Sequence, residues 1–400
     1  MSGSNGSRSV ITHLECSACG AVHDHRQVQG CCRRCGRALL VRYDLHRARR
    51  LLQRRDLSTR KATMWRYREV LPMERDENIV SLGEGFTPIL SLGSIGKALG
   101  VPKLFLKDEA GNPTGSFKAR GLCMAVSKAK ELGIEECCIP TAGNAGGALA
   151  AYGAAASMRS HIFMPEDTPS VNIAECNVYG ADVHLVPGTI SDAAKAMNAA
   201  KEGKEWFDMS TLKEPYRLEG KKTMGYEVAE QFGWQLPDVI VYPTGGGTGL
   251  IGMWKAFAEL QELGWIEGAR PRMVTVQSAG CAPIVKAFDL HATTSELWQD
   301  AATCAAGLRV PKAFADTLIL ETLYASGGCA VAVSDQDIVQ WLRDTARLEG
   351  LLLSPEGAAT VAALSILKDR AVIDQATSVL LYNTGSAFKY VEVLDRAMRG

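Results

Sequence analysis

Net charge is missing from this sequence: 44 Lys and Arg are matched by 44 Asp and Glu over 400 residues. A balanced chain offers no electrostatic footprint for nucleic acid or for an anionic membrane surface. Long hydrophobic runs are missing too, since the alanine-rich stretch at 148–157 is too short to span a bilayer. Residues 1–8 are small and polar and lack the apolar centre of a secretory signal, so a cytoplasmic location is expected. Internal repeats and low-complexity tracts do not occur. What remains is 46% hydrophobic and 22% charged. That composition at this length predicts a soluble, enzyme-sized chain of more than one domain.

Cysteine, by contrast, is plentiful, with twelve residues. Cys123, Cys137, Cys138 and Cys176 lie in apolar stretches, which suits reduced, buried thiols better than a disulfide framework. Four others form two knuckles, Cys16-Ser-Ala-Cys19 and Cys32-Arg-Arg-Cys35, each followed by a glycine, Gly20 and Gly36. Glycine lets the chain turn tightly around a metal, and four thiolates complete a tetrahedral zinc shell. With every ligand position filled by protein, the expected role is structural. A ribbon that packs without metal is the competing reading, and Cys31 could stand in for Cys32. The arginine-rich stretch that follows, 46–68, is broken by Leu51, Leu52 and Leu57 and reads as an exposed helix or linker wrapping the body.

Beyond residue 81, strand-like runs at 103–107, 136–140, 161–165, 183–187, 239–243, 273–277, 330–333 and 379–382 alternate with helical stretches. The helical stretches include 117–132, 145–158, 191–201, 218–232 and 250–263. Continuous apolar strands between amphipathic helices predict α/β architecture with parallel sheets covered on both faces. The expected organisation is a zinc-ribbon-like segment at 1–45 and a large domain formed by 46–124 and 216–400. A smaller α/β domain at 125–215 is inserted between its halves.

Several strand ends carry chemistry. Lys118 stands in the first turn of a helix, after a turn rich in glycine, asparagine and proline. The positive end of the helix dipole disfavours an ammonium there, and so favours a free amine able to form a Schiff base. The alternative is an ordinary solvated lysine. At the end of the 239–243 run, Gly245, Gly246, Gly247, Thr248 and Gly249 lead into a helix, so exposed N–H groups and the helix start make a phosphate cradle. Gly247, Gly249 and Gly252 also satisfy G-x-G-x-x-G, but the next strand ends in Gln277 and lacks the carboxylate that would hold a dinucleotide ribose. One phosphate is therefore favoured over NAD. A second loop, Thr141-Ala-Gly-Asn-Ala145, offers Asn144 either as a helix cap or as an amide for an aromatic hydroxyl. Thr384 places a hydroxyl at the end of the last strong strand. An amine, a phosphate cradle, an amide and a hydroxyl at strand ends suit pyridoxal phosphate.

Four motifs, Ser81-Leu-Gly-Glu-Gly-Phe-Thr-Pro88, Asn112-Pro-Thr-Gly-Ser-Phe-Lys118, Tyr216-Arg-Leu-Glu-Gly-Lys-Lys-Thr223 and Asn383-Thr-Gly385, give the chain its likeness. From residue 81 to 390 it resembles the fold-type II pyridoxal-phosphate enzymes and, among them, the threonine synthases. The resemblance implies two α/β domains with parallel or mixed sheets and the cofactor between them, preceded by the ribbon that some members carry. It implies that Lys118 carries the cofactor with Phe117 beside it. Asn144 would bond the ring hydroxyl, residues 245 to 249 would hold the phosphate, and Thr384 would face the pyridine nitrogen. Thr141, Ala142, Gly143, Asn144 and Ala145 would clamp the substrate carboxylate, while Arg217 and Thr211 would take a substrate phosphate. The implied reaction converts O-phospho-L-homoserine and water to L-threonine and phosphate, in a homodimer. Two residues depart from the usual pattern: Ala145 replaces a hydroxyl residue and Gly246 an asparagine. They keep a related β-replacement or β-elimination, cysteate synthase-like or serine/threonine dehydratase-like, in view. Lys221 or Lys222 would either compensate or lie on a solvated helix face.

Overall fold

Residues 9–399 are described by the computed structural model, in which three sheets organise the chain. The N-terminal strands β1 (Ile11–Cys16), β2 (Val22–His23) and β3 (Leu39–Tyr43) form an antiparallel sheet in the order β2-β1-β3. Both knuckles close on glycines with positive φ, Gly20 at 67° and Gly36 at 70°, a conformation that carries no penalty only without a Cβ. Gly20 N and Gly36 N donate back to the carbonyls of Cys16 and Cys32, which draws each thiol pair together.

The arginine-rich stretch does wrap the body, but its second half is not exposed. Arg66 and Arg68 are buried and meet Glu230 and Asp76, and Arg60 pairs with Glu69. Carboxylates supplied from elsewhere in the chain neutralise the run, because a buried guanidinium without an anion is costly.

Strands β4 (Ile89–Ser91) and β5 (Leu104–Asp108) belong to a six-stranded sheet. The smaller sheet contains β6 (Glu136–Pro140), β7 (Arg159–Pro165), β8 (Asp182–Val186) and β9 (Phe207–Asp208), in the order β8-β7-β6-β9 and parallel throughout. The chain then returns to the large sheet with β10 (Val239–Pro243), β11 (Arg272–Ser278), β12 (Cys329–Val333) and β13 (Val379–Asn383). That sheet has the order β12-β11-β10-β13-β5-β4, and only the β4–β5 pair is antiparallel.

The reason for continuous apolar strands is visible in the core. Ile240, Tyr242, Leu380 and Tyr382 point into one cluster, while their neighbours Val239, Val241, Val379 and Leu381 point into another on the opposite face. The smaller sheet does the same, with Cys137 and Ile139 on one side and Cys138 on the other. All twelve cysteines are free thiols. No helix among the described residues is long and apolar enough to cross a membrane.

Candidate active site

Every residue predicted at the cofactor or substrate lines one cavity of about 230 Å³ at the carboxyl ends of the strands. Its floor begins after β5, where the chain makes tight turns at Glu109–Gly111 and Pro113–Gly115 and enters the helix Lys118–Glu131. Beneath the turns lies a fully buried charge network. Arg120 bonds both carboxylate oxygens of Glu109 and also meets Glu227, which in turn holds Lys107 at 2.9 Å. Thr87 and Asn112 bond Glu109 as well, and Asn112 Oδ1 accepts from Gly85 N. The motifs at 81–88 and 112–118 are thus fastened to each other, which fixes the backbone at Lys118.

Burial pushes the Lys118 ammonium down to about 8; Arg217 reinforces the effect and the Glu356 carboxylate opposes it. Its Nζ lies 4.5 Å from the centre of the Phe117 ring. The Phe117 amide donates to the Thr384 carbonyl at 3.0 Å, and an isolated bridge joins Ser116 to Gly385. The end of β13 and the lysine turn therefore form one unit.

On the opposite wall, the helix Thr248–Glu262 starts without a side-chain cap, so its first-turn N–H groups face the cavity unused by the helix. The glycines there are demanded by space. A Cβ would fall 2.4 Å from Gly307 O at Gly245, 2.8 Å from Thr211 Cγ2 at Gly246, 2.4 Å from Ile319 at Gly247 and 2.0 Å from the Tyr242 hydroxyl at Gly249. Gly246 is small because Thr211 occupies the room that an asparagine would need.

The helix Asn144–Ala155 begins at Asn144 itself, with Gly143 as its cap residue, so the expected capping role of Asn144 is not the one adopted. Asn144 Nδ2 donates to the Tyr390 hydroxyl at 3.0 Å, and its Oδ1 is buried with no hydrogen-bond partner among the described residues. Tyr390 and Glu356 are cavity residues that the sequence did not signal. The Tyr390 hydroxyl donates to Glu356 at 2.8 Å, and Gly307 N donates to the same carboxylate oxygen at 2.7 Å. A carboxylate directly after Ser354-Pro355, at a helix start, was the only sequence cue for Glu356.

The far end of the cavity is cationic. Arg217 is buried and donates to the Met209 carbonyl at 2.6 Å, while its Nε has no hydrogen-bond partner among the described residues. Ser210, Thr211 and Lys213 share this wall. Glu214 accepts from the amides of Tyr216 and Arg217, and burial raises its carboxyl to about 7. Lys221 and Lys222 are neither solvated nor in the cavity wall. Lys222 is buried between Glu219 and Glu259, and Lys221 donates to the Lys118 carbonyl at 3.2 Å. The helices Lys118–Glu131 and Tyr216–Gln231 touch through bare backbone: a Cβ on Gly220 would lie 2.0 Å from Arg120 O, and one on Gly121 would lie 3.0 Å from Arg217 O.

In the N-terminal ribbon, Cys16, Cys19, Cys32 and Cys35 bring their sulfurs together, with separations of 3.4 Å (Cys16 to Cys35), 3.6 Å (Cys19 to Cys35) and 3.7 Å (Cys19 to Cys32). A tetrahedral zinc with ordinary zinc–sulfur bonds holds its ligands about 3.8 Å apart, so the cluster fits that metal. Cys31 turns away towards the Lys213 carbonyl at 3.8 Å, which leaves Cys32 as the fourth sulfur of the cluster.

These residues fit pyridoxal phosphate on chemical grounds: a buried lysine of lowered basicity, a cradle that side chains would fill, and an unpartnered amide oxygen. A family model described as pyridoxal-phosphate dependent enzyme matches residues 80–385. Among curated relatives, threonine synthase from Methanocaldococcus jannaschii is 33% identical over 96% of this chain and 94% of its own. That from Methanosarcina acetivorans is 34% identical over 94% and 92%. Among solved structures, maize serine racemase superposes with a TM-score of 0.66 at 20% identity, over 78% of this chain and 92% of its own. Threonine deaminase isoform 2 from Solanum lycopersicum gives 0.65 at 20%, over 78% and 87%. The fold is that of fold type II, and the chain belongs to the pyridoxal-phosphate dependent enzymes, within the threonine synthase family.

Proposed function

We propose that the chain converts O-phospho-L-homoserine and water to L-threonine and inorganic phosphate. One observation carries this reading: a buried guanidinium, Arg217, with an uncommitted N–H, sits in the same small cavity as Lys118. Such a group calls for a dianion, since its planar fork matches phosphate oxygens. Thr211, Ser210 and Lys213 add donors around it and make up for the hydrogen-bonding groups that Ala145 and Gly246 do not supply.

Pyridoxal phosphate, when bound, supplies an electron sink for the charge left on substrate carbon. Lys118 would hold it, with Phe117 alongside, residues 245 to 249 on its phosphate, Asn144 at its hydroxyl and Thr384 at its ring nitrogen. Free N–H groups in Thr141 to Ala145, at the start of a helix, would grip the substrate carboxylate. Lys118 Nζ, freed when the substrate amine takes its place, would take a proton from substrate Cα, release it to water, and then take one from Cβ. Phosphate would leave Cγ towards Arg217, and Cγ would take up the Cβ proton from Lys118. Water would add its hydroxyl at Cβ and give its proton to the departing phosphate, and Lys118 would return a proton from water to Cα. A basicity near neutrality lets one amine give and take protons in turn. The four ribbon thiols would hold a structural zinc, and the active form would be a homodimer.

Ala145 supports a second reading, β-elimination or β-replacement on phosphoserine or serine, because it offers no hydroxyl to a distant phosphate. Phosphate release measured side by side on O-phosphohomoserine and O-phosphoserine separates the two. The proposal requires faster turnover of the former, and requires Arg217→Ala to raise its KM far more than that of an unphosphorylated amino acid. Preference for O-phosphoserine would replace the first reading with the second.

A further inference from the structure

A cluster outside the cavity has the chemistry of a ligand site. His161 on β7 pairs in register with Asp182 on the edge strand β8, and His184 follows two residues later on the same face. Asp182 Oδ2 lies 3.0 Å from His161 Nδ1 and 3.0 Å from His184 Nε2, and the three donor atoms all fall within 4.8 Å of one another. Metal–ligand bonds of about 2.0 to 2.2 Å set neighbouring donors roughly 3 Å apart, so the two contacts of Asp182 have the spacing of a coordination shell.

A second, independent feature concerns His161 alone. Its other nitrogen, Nε2, lies 2.9 Å from Glu136 Oε2, which also accepts from Trp206 Nε1 at 2.8 Å, while Arg159 sits 3.2 Å from Glu136 Oε1. The Trp206 ring stacks on the imidazole with centroids 3.7 Å apart. His161 is buried and held in tilt by a carboxylate behind it, as metal-binding histidines are. A ring that donates from Nε2 to Glu136 presents Nδ1 beside Asp182 Oδ2 as a ligand atom. Asp182 and His184 are half exposed, which leaves a path from solvent and open positions on the ion.

We propose that His161, Asp182 and His184 bind one borderline divalent transition metal, of the zinc, nickel or copper class, which imidazole and carboxylate ligands favour. The site lies away from the cavity and pins the edge strand of the smaller sheet to its neighbour. Calorimetric titration with Ni²⁺ tests it, on protein whose four-cysteine cluster has been loaded with zinc and whose weakly held metal has then been removed with a chelator. Wild type should take up one nickel per chain with a rise in melting temperature. His184→Ala and Asp182→Asn should each weaken that uptake tenfold or more, and Glu136→Gln by about tenfold. No nickel uptake, or the same isotherm in wild type and both ligand variants, would make the cluster a hydrogen-bonded imidazolium network and overturn the proposal.

Discussion

At the scale of single residues, the site is governed by what burial does to charge. Lys118 is brought down to about 8 by desolvation and by Arg217, with Glu356 pulling the other way. On the proposed mechanism, base catalysis by this amine would grow as pH rises through that value. Removing the Glu356 charge removes the group that favours the ammonium, so in Glu356→Gln the acidic limb of the kcat profile should move to lower pH. A pH–rate series on both proteins checks this, and an unmoved limb would exclude Lys118 as the group observed. Lys118→Ala should lower turnover by about a thousandfold or more and abolish the visible absorption of the reconstituted enzyme, read by steady-state assay and spectrum. Lys118, Asn144 and Thr384 were legible because each sits in a short motif at a strand end. Glu356 and Tyr390 were not, since their meaning comes from partners far away in sequence: Tyr390 meets Asn144 across 246 positions. The burial of Lys222 was hidden for the same reason, its partner Glu259 lying a whole helix away.

At the scale of elements, glycine and cysteine do their work through backbone shape. Gly247 has φ of 79° and caps the helix Thr248–Glu262. Alanine there would pay about 1 to 2 kcal/mol for the left-handed backbone and would press on Ile319 at 2.4 Å. Gly247→Ala should therefore weaken pyridoxal phosphate binding about tenfold, followed by titration of the visible band, and lower the melting temperature. The ribbon makes a separate test. Purified protein stripped of weakly held metal with a chelator should carry one zinc per chain by elemental analysis, and Cys19→Ser should lose it together with several degrees of thermal stability. Strand and helix runs were readable from their periods, because sheets buried on both faces need unbroken apolar strands. The arginine-rich stretch was harder: Arg66 finds Glu230 across 164 positions, a pairing that composition alone does not reveal.

At the scale of the whole molecule, residues from the segments of both larger sheets line the cavity, and we propose 1–45, 46–124 with 216–400, and 125–215 as its units. The cut at 124 falls within the helix Lys118–Glu131, which is continuous and packs against the helices Tyr216–Gln231 and Asn144–Ala155. Ion pairs join residues of 125–215 to later parts of the chain. Arg309 forms a two-pronged pair with Asp167 at 2.7 and 2.8 Å, and Lys389 meets Glu175 at 2.5 Å. The partly exposed Arg309–Asp167 pair is worth about 0.2 to 1 kcal/mol, which would bias any closure of the two segments without locking it. Arg309→Ala should raise KM by up to about fivefold with little change in kcat, as steady-state kinetics would show.

The bare meeting of Gly121 and Gly220 has a consequence for selectivity. At Gly220 the two helices meet backbone to backbone, so on the proposed reading the span from Lys118 to Arg217 would be gauged by peptide against peptide. On that reading a molecule one methylene too short would reach one end or the other, never both. The enzyme would thus measure its substrate with a ruler made of main chain, and a single methyl group wedged at position 220 would miscalibrate it.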